Sequence, residues 1–351
     1  MARPAAMGIF RSNPRSRAIA PTATLQPRRL LIIGFDLWTG NMYRALRHVN
    51  FDDLEIEVFA LPGHHYNYLY PFLPDLLAEF QPNVVLFDLL STPCRGWATG
   101  AHLADHFHAM LQLSAAHGAK AGLVHFYDAE EIEVDSDPLA HALNASAEEL
   151  GLPILDLPGW WRDAGHASVL PLEGERVKIS DAVAISQKIV SFARSVCSSE
   201  QDLQFLSNLG VADHVRQLAV VDASRMVSAG AATESRAFSG LSSDALVVEE
   251  GESVTLQIPE GAVINGIYFI HGPRSGDFEI TSDRGLLMIQ RCYDAWSYYE
   301  RPVVMNLDSQ GARAISIRQL SGIPDLELVQ GQVDRSPRVG KIGPIMMYKS
   351  G

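Results

Sequence analysis

Apolar and polar positions repeat with different periods in the two halves of the chain, and the change of period divides it. In the first half, short unbroken apolar runs stand between segments with helical spacing. Leu30-Leu31-Ile32-Ile33 is such a run, ending at Gly34, and Asn41 to Val49 then has apolar residues at helical intervals. Glu55 to Leu61 reads as a second strand, closed by Pro62-Gly63; the apolar run Val84-Val85-Leu86-Phe87 follows Pro82-Asn83. Gly122 to Phe126 and Ile154 to Leu157 read as further strands. Pro71 to Phe80, Gly100 to His117, Pro138 to Leu150 and Ser180 to Val196 read as helices. Runs without alternation suit strands buried on both faces, and strands separated by helices require crossover connections. The pattern predicts an α/β domain over residues 30–198 with a doubly wound, mostly parallel five-stranded sheet.

Gln201 to Val227 reads as helical, with Leu203, Leu206, Val215 and Leu218 at core-like spacing. Together with the small residues Ser228 to Thr233 it predicts a helical connector and linker over residues 199–234. The period then becomes two. Val254, Leu256 and Ile258 alternate with polar residues, as do Phe278 and Ile280, and Ile315 and Ile317. Such strands, punctuated by Gly, Pro and Asp, predict an antiparallel β-sandwich or jelly roll over residues 235–351.

Charge adds to this division. Residues 1–29 hold six arginines, no lysine and no acid, and four prolines break any long helix there. They read as a disordered basic tail with Met7 as an alternative start; no apolar segment follows the arginines as in a secretory signal. The remaining 322 residues carry 22 basic and 41 acidic side chains. A body this acidic repels phosphate backbones, which argues against nucleic acid as a partner. No apolar run approaches the ~20 residues that span a bilayer. Cys94, Cys197 and Cys292 are odd in number and widely spaced, forming neither a disulfide framework nor a zinc pattern. That favours a reducing, cytoplasmic setting.

The order and punctuation of residues 28–198 resemble the SGNH, or GDSL-like, hydrolase fold. That family opens with Gly-Asp-Ser-Leu after its first strand, and Gly34-Phe35-Asp36-Leu37-Trp38-Thr39-Gly40-Asn41 stands there. Its second block, a glycine after the second strand, is matched by Gly63 in Leu61-Pro62-Gly63-His64-His65. Its third, Gly-x-Asn-Asp, falls on Leu90-Ser91-Thr92-Pro93-Cys94, and its last, Asp-x-x-His, on Glu175-Arg176-Val177-Lys178. The resemblance thus places Asp36 where the family has its nucleophilic serine, Glu175 at the acid and Lys178 at the base. A carboxylate and an ammonium cannot perform the serine–imidazole proton transfer, so Asp36 and Lys178 are expected to form an ion pair instead.

Other groups fall near the carboxyl ends of the strands, where ligands bind in open α/β folds. Ser91 is the alternative nucleophile, with His64 or His65 as its base; equally, Ser-Thr-Pro can simply terminate a strand. Asn41, Gly63, His64, His65 and Asp128 are candidate ligand contacts, as is His125. Cys94 is a further nucleophile candidate. His102, His106 and His108 invite a metal reading, and 102 and 106 have the i, i+4 spacing of zinc helices, but without an evident third ligand a solvated histidine face is preferred and no metal is expected. No cofactor is expected either. In the second domain, Trp296, Tyr298 and Tyr299 lie beside Asp294, Glu300 and Arg301, a mixture of flat apolar rings and charges suited to sugars. Two functions follow as expectations. One is an ester hydrolase or O-acyltransferase acting on an acylated glycan in bacterial surface-polysaccharide production. The other is a non-catalytic glycan-binding or scaffolding protein with a degenerate site.

Overall fold

The computed structural model describes residues 28–38, 40–48, 54–61, 66–91, 99–127, 136–165, 177–227, 231–238, 241–285, 287–307, 309, 311–322 and 325–349. They fall into two compact units, one ending at Arg216 and the other beginning at Gln217.

The first unit has strands β1 (Arg28–Gly34), β2 (Leu54–Ala60), β3 (Val84–Phe87), β4 (Lys120–His125) and β5 (Ile154–Asp156). Between and after them run helices α1 (Gly40–His48), α2 (Leu73–Phe80), α3 (Gly100–Ala116), α4 (Pro138–Glu149), α5 (Leu157–Asp163), α6 (Ile179–Ser198), α7 (Leu203–Ser207) and α8 (Asp213–Arg216). The five strands form one sheet in the order β2-β1-β3-β4-β5, and every pairing is parallel. The doubly wound architecture is therefore as the apolar runs predict. Alternate strand residues serve the two faces. Leu30, Ile32, Leu86 and Val124 pack with Met42 and Leu46 of α1 and Ile185 and Ile189 of α6. On β3, Phe87 instead meets Phe107 of α3, edge to face with centroids 6.0 Å apart.

Two local elements differ from the sequence reading. After Asp156 the chain turns into α5, because Pro158 falls in the first helical turn, where a missing N–H costs nothing. The expected helical connector contains α7 and α8 but then becomes a strand, β6 (Leu218–Val221), which pairs antiparallel within the second unit. Leu-Ala-Val-Val is too short for its period to be read, and its β-branched end suits a strand.

The second unit contains β6 and strands β7 (Thr233–Phe238), β8 (Leu241–Glu249), β9 (Ser253–Gln257), β10 (Ala262–His271), β11 (Asp277–Ser282), β12 (Leu287–Arg291), β13 (Arg301–Asn306), β14 (Ala314–Gln319) and β15 (Val339–Lys349). One sheet has the order β13-β10-β15-β8-β7 with β6 also on β15; the other runs β12-β11-β14-β9. All pairings are antiparallel. The inward residues of both sheets, among them Leu246, Ile267, Phe269, Phe278, Ile280 and Ile317, form one core, as in a β-sandwich. Phe269 and Phe278 meet across it at 4.9 Å. Gly340 on β15 lets them pack, since a Cβ there would lie 2.1 Å from the Phe278 ring.

Candidate functional site

The strand order reverses at β1, whose neighbours are β2 on one side and β3 on the other. Ligands in such sheets bind beyond the carboxyl ends of the strands flanking that point, here β1 and β3. The chain leaves β1 through a single 3-10 turn, Asp36–Trp38, in which the N–H of Trp38 donates to the carbonyl of Phe35 at 3.1 Å. Gly34 permits this fold-back: a Cβ there would stand 2.3 Å from Cδ1 of Trp38. The indole is fully buried, edge-on to Phe126 at 5.1 Å.

The chain leaves β3 at Asp88, whose N–H donates to the carbonyl of Ile33 at 2.8 Å and so continues the β1–β3 pairing. Its carboxyl is 0% exposed and accepts four hydrogen bonds. The Trp38 indole N–H donates to Oδ2 at 2.7 Å, and the Ser91 hydroxyl donates to the same oxygen at 2.5 Å. The backbone N–H groups of Leu90 and Ser91 donate to Oδ1 at 3.2 and 3.3 Å. One carboxyl therefore fixes both loops of the switch point. Burial pushes it up to about 7, against the hydrogen bonds from Ser91, Trp38 and Leu90. It thus changes charge near neutrality, beside a hydroxyl that is itself half-buried.

Asn41, at the start of α1, donates from Nδ2 to the carbonyl of Val177 at 2.9 Å. This bond draws the block after β1 towards the block before α6, as the resemblance implies. Lys178 is exposed at the N-cap of α6. The Asp36 side chain and the residues Gly63, His64, His65, Cys94, Asp128 and Glu175 lie outside the described residues, and with them the Asp36–Lys178 pair. His125, at the end of β4, is buried and bonds Asn144 Oδ1 through Nε2 at 2.6 Å. Burial pushes its pKa down, leaving a neutral ring with Nδ1 as the acceptor nitrogen. His102 and His106 share a face of α3, centroids 4.7 Å apart. The buried Tyr66 bonds His102 Nδ1 at 2.5 Å and meets His106 edge-on, so these imidazoles belong to a packed aromatic cluster rather than a solvated face. Among the described residues no group of three or more His, Cys, Asp or Glu could hold a metal.

In the sandwich unit, Asp294 organises the turn that carries the aromatic residues. Its Oδ1 accepts from the N–H of Trp296 at 2.9 Å, and its Oδ2 from His271 Nδ1 at 3.3 Å and from Arg301. Trp296 is 51% exposed, while Tyr298 and Tyr299 are half-buried. Their rings form a series, 6.4 Å from Trp296 to Tyr298 and 5.0 Å from Tyr298 to Tyr299.

Trp38 and Asp88 are the groups that the residue pattern does not single out. The available signal was an aspartate directly after the unbroken apolar run Val84–Phe87, where a buried sheet offers no water to solvate it.

No protein-family profile matches the chain, and no curated protein does. Among solved structures, it is similar to a two-domain esterase (CEX) active on acetylated mannans, co-crystallised with mannopentaose. The identity is 10%, the TM-score 0.61, and 92% of this chain and 90% of that one are covered. A second structure of a two-domain esterase active on acetylated mannans gives a TM-score of 0.58 at 10% identity, covering 92% of this chain and 91% of that one. Both units are thus included in a single match. The chain has the SGNH, GDSL-like, hydrolase fold in its α/β unit, followed by an antiparallel β-sandwich.

Proposed function

We propose that this protein is an ester hydrolase or O-acyltransferase acting on an acylated carbohydrate, with Ser91 as nucleophile and Asp88 as its base. The observation that carries the reading is the 2.5 Å hydrogen bond from the Ser91 hydroxyl to a fully buried carboxyl at the switch point. A general base works best when it titrates near the operating pH, and Asp88 does so near 7. In this mechanism Ser91 Oγ attacks the acyl carbonyl carbon while its proton passes to Asp88. Collapse of the tetrahedral adduct breaks the ester C–O bond, and the departing sugar oxygen takes the proton back from Asp88. Water, or a second sugar hydroxyl in the transferase case, then attacks acyl-Ser91 with Asp88 again receiving and returning a proton. The fold shared with esterases of acetylated mannans supports an acetylated polysaccharide as substrate, of the kind found on bacterial surfaces. Asp36 and Lys178 are proposed to pair beside this site, which the Asn41–Val177 hydrogen bond supports by joining their two segments.

The test is turnover of a chromogenic acetyl ester and release of acetate from acetylated mannan. Wild-type turnover lost in Ser91→Ala, but not restored or created by Asp36→Ser with Lys178→His, supports the reading. Turnover that survives Ser91→Ala overturns it. Absence of any turnover, with glycan binding retained, favours a non-catalytic binding protein, a reading to which the half-exposed Trp296 lends its weight.

A further inference from the structure

Beside the aromatic turn, the sandwich unit carries a half-open cavity of about 430 Å³, within the range of small-molecule sites. Its wall includes Arg274, Tyr299, Glu300, Asp334 and Lys341. Tyr299 both lines the cavity and ends the ring series, whose successive planes are inclined at 41° and 58°, so the cavity adjoins aromatic residues that lead to the exposed Trp296.

The walls are held by Arg338, fully buried just before β15. Its guanidinium donates to the carbonyls of Pro273 at 3.2 Å, Ser275 at 3.4 Å and Ser336 at 2.6 Å, and to that of Asp334. One side chain thereby ties the 273–275 turn to the 334–336 segment, and the N–H of Val339 donates to the carbonyl of Arg274 at 2.8 Å. Such a cavity is formed before any ligand arrives, which lowers the cost of binding.

The charges on the wall balance. Lys341 bonds Glu300 at 2.7 Å and Glu234 at 2.9 Å, and Arg274 faces the same space as Asp334. An anionic ligand would meet Glu300 and Asp334; a cationic one would meet Arg274 and Lys341. A neutral polyol suffers neither repulsion, and its hydroxyls can accept from the cations and donate to the carboxylates. The apolar faces of pyranose rings match flat aromatic side chains in the same way.

We propose that this cavity and the Tyr299–Tyr298–Trp296 series form a binding site for a neutral linear glycan, one unit in the cavity and the next units along the rings. The inference rests on the carbohydrate part of the proposed function and not on its ester chemistry.

The test is calorimetric titration of the full chain with linear neutral gluco-, manno- and galacto-oligosaccharides of increasing length, against oligogalacturonates of the same lengths. At least one neutral series should bind more tightly as it lengthens and outbind the uronates by about tenfold. Trp296→Ala should weaken the longest ligand about tenfold and leave the monosaccharide unchanged. Glu300→Gln, which keeps the side chain's shape and leaves Glu234 on Lys341, should weaken all lengths. Binding by none of the neutral series, equal binding of the uronates, or wild-type binding in both variants overturns the proposal. Ser91→Ala should bind like wild type, so loss of ester turnover with binding intact counts against the ester reading alone. Turnover without glycan binding counts against this site alone.

Discussion

Asp88 in the α/β unit and Asp294 in the sandwich each receive several hydrogen bonds, yet they depart from the ordinary carboxyl pKa in opposite directions. Asp88 is fully buried, and its named donors are an indole, a hydroxyl and two backbone N–H groups, all neutral. Burial outweighs them, and the carboxyl titrates at about 7. Burial also pushes Asp294 up, but His271, the Arg301 guanidinium and the Trp296 N–H together outweigh it and hold the group well below the usual range. The difference teaches that neutral donors can orient a buried carboxyl without fixing its charge, whereas a guanidinium fixes the charge as well. Asp88 can therefore take and return a proton near neutrality. Asp294 stays anionic and serves to shape the aromatic turn.

The comparison breaks most visibly if the base assignment fails. Asp88→Asn keeps the shape of the group but cannot accept the Ser91 proton, and kcat should fall on the order of a thousandfold, read with a chromogenic acetyl ester. The same variant tests the buried-carboxyl argument without substrate. Burial raises the folded-state pKa from the usual carboxylate range to about 7, so between the two the native state holds a proton that the unfolded chain has released. Stability should be greatest below about pH 4 from this group alone and decline as pH rises to about 7, by on the order of a few kcal/mol. Urea unfolding at a series of pH values should show this decline in the wild type and lose it in Asp88→Asn.

Asp294→Ala tests the other half. It leaves Arg301 and the buried His271 without this partner, and should cost about 1–3 kcal/mol by the same unfolding measurement. A smaller loss, about 1 kcal/mol, is expected for Trp38→Phe, which removes one donor from Asp88. Because that donor favours the ionised form, its removal should also move the midpoint of the pH–rate profile upward. An unchanged midpoint would mean that the indole does not act on the carboxyl.

Elements with a clear period were legible in the sequence; contacts between remote residues were not. The unbroken run Val84–Phe87 and the alternation Val254, Leu256, Ile258 announce a doubly buried strand and a one-sided strand respectively, because burial dictates each pattern. Leu218–Val221 was illegible because a strand of four residues next to helices carries too little period, and what makes it a strand is its partner β15, over 120 positions away. The site divides in the same way. Ser91 is recognisable as a hydroxyl after a strand, and Asn41 as part of the block after β1. The importance of Trp38 and Asp88 arises from a hydrogen bond across 50 positions, which no local signal encodes. The cavity wall is likewise assembled from Arg274, Glu300, Asp334 and Lys341, four residues on separate segments joined only by folding.

The central claim is that Ser91, activated by Asp88, is the attacking group. A fluorophosphonate forms a stable bond to an activated serine oxygen with loss of fluoride, so it reports the nucleophile whatever the natural ester. Incubation of the full chain followed by peptide mass mapping should give one adduct, on Ser91. It should be absent in Ser91→Ala and formed far more slowly in Asp88→Asn. An adduct on another residue, or loss of ester turnover with Ser91 left unmodified, would contradict the account.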